Sequence, residues 1–103
     1  MSGRSPTLTV ILWRDMPAQV VAKHGRTNHK IELPPRFQQA IDRAAMRAGT
    51  IGNDEYLEDW RRDSRPCGED LEAEAAAEAA SLEERFPLDV LNEYVMNLGF
   101  RDE

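Results

Sequence analysis

The chain has 103 residues, 41% of them apolar, which provides for one hydrophobic core and not for two. Its single cysteine excludes an internal disulfide, and no segment approaches the roughly 20 apolar residues of a membrane-spanning helix. Residues 1–6 lack the charged start and apolar run of a signal peptide, so a cytoplasmic location is expected by elimination.

The net charge of −6 is distributed unevenly along the chain. Residues 1–52 carry eight Lys or Arg against three Asp or Glu, a net charge of +5, whereas residues 67–103 carry two against eleven, a net charge of −9. Nucleic-acid-binding domains are usually basic overall, so the acidic total disfavours a nucleic-acid partner. The basic half could attract an anionic ligand or an acidic protein surface, or the two halves could neutralise each other.

The N-terminal third predicts three antiparallel strands. Residues 7–13 (TLTVILW) form an apolar run that suits a strand covered on both faces. Met16-Pro17 is predicted to form a turn, and residues 18–24 (AQVVAKH) a second strand. A loop containing glycine and asparagine then leads to a third strand over residues 30–33, which two prolines end.

Two helices are predicted next. The first runs from Pro35 to Ala48 and ends at Gly49, with a helical apolar stripe of Phe37, Ala40, Ile41, Ala44 and Ala48. Asn53 is placed to cap a second, short helix that buries Leu57 and Trp60. The sequence SRPCG at residues 64–68 breaks the helical pattern.

The remaining chain predicts two more helices. The Ala- and Glu-rich segment of about residues 69–85 has a stripe of Leu71, Ala75, Ala79, Leu82 and Phe86. Pro87 opens a last helix, which Gly99 ends and which turns inward Leu88, Leu91, Val95 and Leu98. The expected fold is therefore α+β, in the order β-β-β-α-α-α-α. A small three-stranded antiparallel sheet packs with about four helices over residues 7–100, between flexible ends of residues 1–6 and 101–103.

Cys67 is a candidate reactive thiol. It immediately precedes a helix, whose free amide groups and dipole favour a thiolate, and Arg65 lies close in sequence. The acidic residues that follow act in the opposite direction, because negative neighbours raise the pKa of a thiol. An incidental, packed cysteine is the alternative interpretation.

No complete catalytic or metal-binding pattern is present in the sequence. His24 and His29 flank the predicted hairpin loop, and with Cys67 or a carboxylate they would form at most a partial metal site. No Ser/His/Asp order, glycine-rich phosphate loop or zinc-protease motif occurs. We therefore predict no catalytic residue, no metal and no cofactor.

A basic surface is the main candidate for binding. Arg36, Arg43 and Arg47 share one flank of the first helix, because spacings of four and seven residues return to nearly the same side. The predicted surface also contains residues of the strands and the hairpin, namely Trp13, Arg14, Arg26 and Lys30. Guanidinium groups beside a tryptophan could recognise a phosphate, a carboxylate or an acidic protein surface. Alternatively, these arginines could pair with acidic helices of the same domain.

Four segments resemble, in order, the small bacterial proteins of the virulence factor domain family: VILWRDMPAQVVAK, RFQQAIDRAAMRAG, YLEDWRR and PCGEDLEAEAAA. The likeness covers residues 7–82, and Trp13-Arg14, residues 40–44 and residues 60–62 look like the family's pattern. The resemblance implies a domain that also occurs attached to larger virulence factors with an iron–sulfur scaffold-like region and helical repeats. It also implies stand-alone members, often encoded near folate and corrinoid one-carbon genes. It carries over no catalytic residue.

Two functions are consistent with these observations. The first is a non-enzymatic interaction module, a small adaptor or accessory subunit of a larger metabolic or metallocofactor protein. The second is an accessory protein of one-carbon metabolism in which Arg36, Arg43 and Arg47 hold an anionic cofactor such as a folate glutamate tail. The expected partner is thus a larger protein, with no nucleic acid and no membrane, and the oligomeric state is open.

Overall fold

The computed structural model describes residues 5–101, so residues 1–4, 102 and 103 of the predicted flexible ends lie outside the described range. Eight elements follow one another in the order β-β-β-α-α-β-α-α. They are β1 (Thr7–Trp13), β2 (Met16–His24), β3 (Thr27–Glu32), α1 (Pro35–Ala48), α2 (Asp54–Glu58), β4 (Trp60–Pro66), α3 (Leu71–Arg85) and α4 (Leu88–Met96). The predicted α+β class is confirmed.

The sheet has four antiparallel strands in the order β3-β2-β1-β4, so the prediction of three strands is wrong. The fourth strand pairs with β1 over its whole length, from Thr7 opposite Pro66 to Trp13 opposite Trp60. Its sequence, WRRDSRP, has no alternation of apolar and polar residues, because nearly every side chain of this edge strand is exposed. A pattern search for half-buried strands therefore passes over it.

The turn between β1 and β2 lies at Arg14 and Asp15, two residues earlier than predicted. Arg14 has a φ of 55°, a left-handed conformation that few residues adopt without a supporting environment. Pro17 lies inside β2, next to the register shift between Ile11 and Leu12 that marks an irregularity in the pairing with β1. A bulge is one of the places where a strand tolerates a residue without an amide hydrogen.

The helices pack on one face of the sheet. α3 lies over β2 and β3, while α1 contacts β2 and α4. Leu8, Val20 and Ala22 are buried on this face, whereas Thr9 and Ile11 on the other side of β1 are half-buried. Only Leu8 and Trp13 of β1 are fully buried, so the expectation of a strand covered on both faces is corrected.

The predicted helical stripes supply most of the core. The buried side chains of α1 and α3 are Phe37, Ala40, Ile41, Ala44, Ala45, Leu71, Ala75, Ala79 and Leu82. Leu91 and Val95 of α4 are also buried. Three predicted core residues are instead exposed: Leu57, Leu88 and Leu98. α2 buries none of its five residues, and Leu98 lies past the end of α4 with a φ of 62°.

Gly99 is expected to tolerate no side chain. Its φ is +92°, and a Cβ atom would lie 2.7 Å from Cζ3 of Trp13. Gly99→Ala is expected to lower the free energy of unfolding by about 1–3 kcal/mol, measured by urea denaturation. Gly25→Ala is the matched control, since Gly25 also has a positive φ but no atom within 4 Å. Equal losses in the two variants would contradict the proposed clash.

Candidate interaction surface

Two of the three predicted binding arginines of α1 bond within the domain. Arg36 lies at the start of α1, where Nε donates to the carbonyl of Phe86 at 3.3 Å and Nη2 donates to that of Glu83 at 3.0 Å. These carbonyls belong to the C-terminal end of α3, where backbone acceptors lack helical partners. Seven residues further along α1, Nη2 of Arg43 donates to Oδ1 of Asn92 on α4 at 2.9 Å. The contacts show that α1 and α4 run parallel, with their C-terminal ends together.

Arg14 joins three parts of the fold. Its Nε lies 2.9 Å from Oδ2 of Asp59, and Nη1 donates to the carbonyl of Leu98 at 2.7 Å. The guanidinium carbon lies 4.6 Å from the centre of the Trp13 ring and 4.7 Å from that of Phe100. With only 10% of its side chain exposed, Arg14 fixes the end of α2 and the end of α4 to the β1–β2 turn.

Trp13 is a core residue in the structure. Its side chain is fully buried, its Nε1 donates to the carbonyl of Tyr56 at 3.1 Å, and its ring packs against that of Tyr56. The ring therefore does not contribute to an exposed binding surface. Family resemblance singled out Trp13-Arg14, and the geometry gives both residues a structural task.

The other three predicted cations lie on the β2–β3 hairpin and at the end of α1. Arg26 is in the turn between β2 and β3, Lys30 is on β3, and Arg47 is in the last turn of α1, and all three are exposed. The structure does not bring the predicted residues into one basic surface. Spacing along α1 predicts a common flank for three arginines, but it contains no information on which of them contact α4 and the end of α3.

Exposed apolar side chains gather at one end of the molecule. Among residues 5–101, seven large hydrophobic side chains are exposed, and six lie on or just after the C-terminal parts of α1, α2 and α4. We call these six the apolar end: Met46, Ile51, Leu57, Met96, Leu98 and Phe100. Their exposed fractions range from 39% to 69%. The seventh, Leu88, lies at the opposite end of α4.

Three connections bring the apolar end together. The parallel packing of α1 and α4 places Met46 and Met96 at the same end of the helix pair. Only five residues separate α1 from α2, so Leu57 follows closely. Arg14 then bonds both to Asp59, just after α2, and to the carbonyl of Leu98. Helical spacing alone places Met46 opposite the apolar stripe of α1, whereas the exposure of the other five depends on tertiary packing.

Cys67 follows β4 and is half-buried. Its backbone amide donates to the carbonyl of Pro6 at 3.1 Å, and its Sγ lies 3.4 Å from the carbonyl of Gly68. Burial raises the pKa of the Cys67 thiol, the charge of Glu74 raises it further, and Arg65 lowers it. The neutral thiol is therefore favoured, which opposes a reactive thiolate.

Cys67 is accordingly expected to react slowly with iodoacetamide at pH 7, because only the thiolate is nucleophilic. The folded chain should be alkylated more slowly than the urea-unfolded chain. Because the folded state holds this proton more tightly, the thiol's contribution to stability should fall as pH rises above the unfolded pKa of about 8.5. Faster alkylation of the folded chain at pH 7 would contradict the raised pKa.

The two histidines lie on the sheet face that α3 covers. His24 and His29 line a shallow groove together with Glu69, Asp70 and Glu72 from the start of α3. Within residues 5–101, however, no group of three His, Cys, Asp or Glu side chains is placed to hold a metal ion. None of the helices in this described part is both long and apolar enough to cross a membrane.

A cleft beside β4 is, like the apolar end, a feature that the sequence did not predict. It has a volume of about 530 Å³, with an apolar floor that includes Val10, Leu12 and Phe86. Arg61 lies at its rim, on a strand where the sequence had predicted only the end of a short helix and a break. The family resemblance included residues 60–62, but it did not indicate that they form the edge of a sheet.

Comparison with known proteins gives one family. The family model described as "Virulence factor" matches residues 11–95, which is most of the chain and includes nearly all of α4. No curated protein and no solved structure matches the chain.

Proposed function

We propose that this chain, which belongs to the virulence factor family, is a non-enzymatic protein-interaction module. In this role it serves as a small adaptor or accessory subunit of a larger bacterial metabolic or metallocofactor protein. The observation that carries the proposal is the apolar end, where six exposed hydrophobic side chains gather. Family resemblance to a domain that also occurs attached to larger proteins supports a partner of that kind.

The composition of the apolar end suits a protein contact. Contiguous exposed apolar surface in a soluble domain commonly marks an interaction site. Methionine and aromatic residues are enriched in the cores of interfaces, and methionine adapts its shape to the opposing surface. Met46, Met96 and Phe100 provide such side chains. The guanidinium group of Arg14 stacks on the Phe100 ring, so this ring is already positioned in the unbound chain.

Co-purification from the native host tests the proposal. A tagged wild-type chain is expected to retain a larger protein at physiological salt, and mass spectrometry identifies it. The double substitution Leu57→Asp and Met96→Asp is expected to reduce the recovered partner at least tenfold, because it places two charges in the contact. Both positions are well exposed, so the fold should persist, which circular dichroism checks.

Leu88→Asp is the matched control for this experiment. Leu88 is 54% exposed and belongs to α4 as Met96 does, but lies at the other end of that helix. Recovery of the partner should be unchanged. The proposal fails if the wild-type chain elutes alone, or if Leu88→Asp abolishes capture as strongly as the substitutions in the apolar end.

Binding of an anionic cofactor by Arg36, Arg43 and Arg47 has less support. Two of these three guanidinium groups already donate to acceptors of the same domain. Millimolar folate or phosphate bound at these residues should raise the melting temperature, because a ligand specific for the native state stabilises it. No thermal shift is expected.

A further inference from the structure

Among residues 5–101, no strand pairs with the outer edge of β4. β4 is the last strand in the order β3-β2-β1-β4. At one end of its pairing with β1, the amide of Arg14 donates to the carbonyl of Asp59, and at the other the amide of Cys67 donates to that of Pro6. In an antiparallel pair, inward-directed residues alternate with outward-directed ones. Odd-numbered residues of β4 therefore bond to β1, and Trp60, Arg62 and Ser64 direct their backbone groups away from the sheet.

This edge is open to solvent along most of its length. Every residue from Arg61 to Pro66 is exposed, and α3 packs over β2 and β3 at the other side of the sheet. The uncovered space between β4 and the helices is the 530 Å³ cleft, with Val10, Leu12 and Phe86 in its floor. An additional strand on β4 would direct every second side chain towards the mouth of this cleft.

The charge of the edge is opposite to that of the whole chain. β4 contains three arginines and one aspartate, in a protein with a net charge of −6. Arg61 and Arg65 have acidic partners, Asp15 and Glu78. Within residues 5–101, Arg62 forms no salt bridge, and it is one of the residues whose backbone faces outward. The cleft itself has mixed charge, since Asp15, Asp63 and Glu78 line it together with Arg61, Arg85 and Arg101. The positive charge therefore belongs to the strand edge and not to the cleft.

From this edge we infer that the chain binds an extended acidic segment of a partner protein, which adds to β4 as a fifth strand. Backbone hydrogen bonds to Trp60, Arg62 and Ser64 supply affinity, as in other cases of strand addition. Directly opposed residues of antiparallel strands share one face, so an acidic side chain opposite Arg62 forms a cross-strand ion pair. The neighbouring residues of the segment are apolar and face the cleft. This site is separate from the apolar end and does not depend on its function.

A second copy of this chain fits the edge less well. In the antiparallel register that is centred on Arg62, its guanidinium group meets Arg62 of the second copy, although Arg61 then faces Asp63 twice. In the register centred on Asp63, two aspartates oppose each other and Arg61 faces Arg65. Like charges directly opposed across strands are destabilising, which favours an acidic partner over self-pairing.

Titration of the full chain with a designed peptide tests this inference. The probe is the acetylated and amidated peptide EVEVEVE, followed by amide chemical shifts in nuclear magnetic resonance spectra. Changes are expected to concentrate on residues 60–66, and the peptide KVKVKVK is expected to bind at least tenfold more weakly. Ser64→Pro, which removes an outward amide hydrogen, should weaken binding at least tenfold. Ser64→Ala should remain within twofold, although it loses the same hydroxyl bond to Thr9.

Two modified peptides keep the test independent of how Ser64→Pro folds. Methylation of alternate backbone amides of EVEVEVE blocks one edge of the peptide, and methylation of the other set blocks the opposite edge. Methylation of one set of amides should abolish binding to the wild-type chain, and methylation of the other set should leave the affinity unchanged. The inference is overturned if EVEVEVE does not bind at millimolar concentration, if KVKVKVK binds as tightly, or if both methylated sets behave alike. It is also overturned if the shifts map outside β4, or if sedimentation shows a dimer that Ser64→Pro dissociates.

Discussion

Replacement of Trp13 by alanine is expected to lower the free energy of unfolding by about 3–5 kcal/mol, the usual cost of deleting a large buried aromatic side chain. The ring is fully buried, its indole nitrogen bonds to the carbonyl of Tyr56, and Gly99 packs directly against it. Removal leaves a cavity and an unsatisfied carbonyl. Domains of this size have a free energy of unfolding of about 5–15 kcal/mol, so this one substitution removes a large fraction of the stability.

Chemical denaturation followed by far-ultraviolet circular dichroism measures the effect of Trp13→Ala. Trp13→Phe should recover part of the stability, since it fills much of the cavity but restores no hydrogen bond. Leu57→Ala is the surface control, and it is expected to change stability by no more than about 0.5 kcal/mol. A loss below about 1 kcal/mol in Trp13→Ala would contradict its place in the core.

Arg14→Ala is expected to lower the free energy of unfolding by about 2–3 kcal/mol. The substitution removes bonds to Asp59 and to the carbonyl of Leu98, together with contacts to two aromatic rings. Arg14→Lys should be intermediate, because lysine retains the charge but cannot present the planar guanidinium fork to both acceptors. Denaturation curves of the three proteins compare the losses.

The backbone at Arg14 allows a sharper comparison. Its φ of 55° is costly for alanine and free for glycine, so Arg14→Gly should be less destabilising than Arg14→Ala by up to about 1 kcal/mol. A double-mutant cycle with Asp59→Ala should give a coupling energy of at least about 0.5 kcal/mol. Additive effects of the two substitutions would mean that the ion pair between Arg14 and Asp59 contributes nothing.

Local pattern was sufficient for the elements with a buried side. β1 has the predicted bounds, α1 runs from Pro35 to Ala48 as predicted, and the stripe of α3 is buried as its spacing indicated. These elements have strong periodicity because half of each faces the core. α2 was also recognised by its cap, and the side chain of Asn53 accepts a hydrogen bond from the amide of Glu55.

Edges and ends were not predictable in the same way. β4 has no periodicity, since it is exposed on both sides and pairs with a strand about fifty residues earlier in the chain. Leu57, Leu88 and Leu98 have the spacing of core residues, but no element within residues 5–101 covers them. The arginines of α1 looked like a surface for binding because their acceptors on α3 and α4 are distant in sequence. Each of these features depends on contacts made by tertiary structure alone.

The position of β4 has a consequence for synthesis and folding. β1 is an uncharged run of seven residues (TLTVILW) with high β propensity, the kind of segment that promotes aggregation when its edge is free. That edge stays uncovered until residues 60–66 leave the ribosome, after α1 and α2. Once β4 pairs with β1, the edge strand of the sheet is the charged β4 and no longer the apolar β1. Chains that end before β4 are therefore expected to aggregate more readily than the full chain.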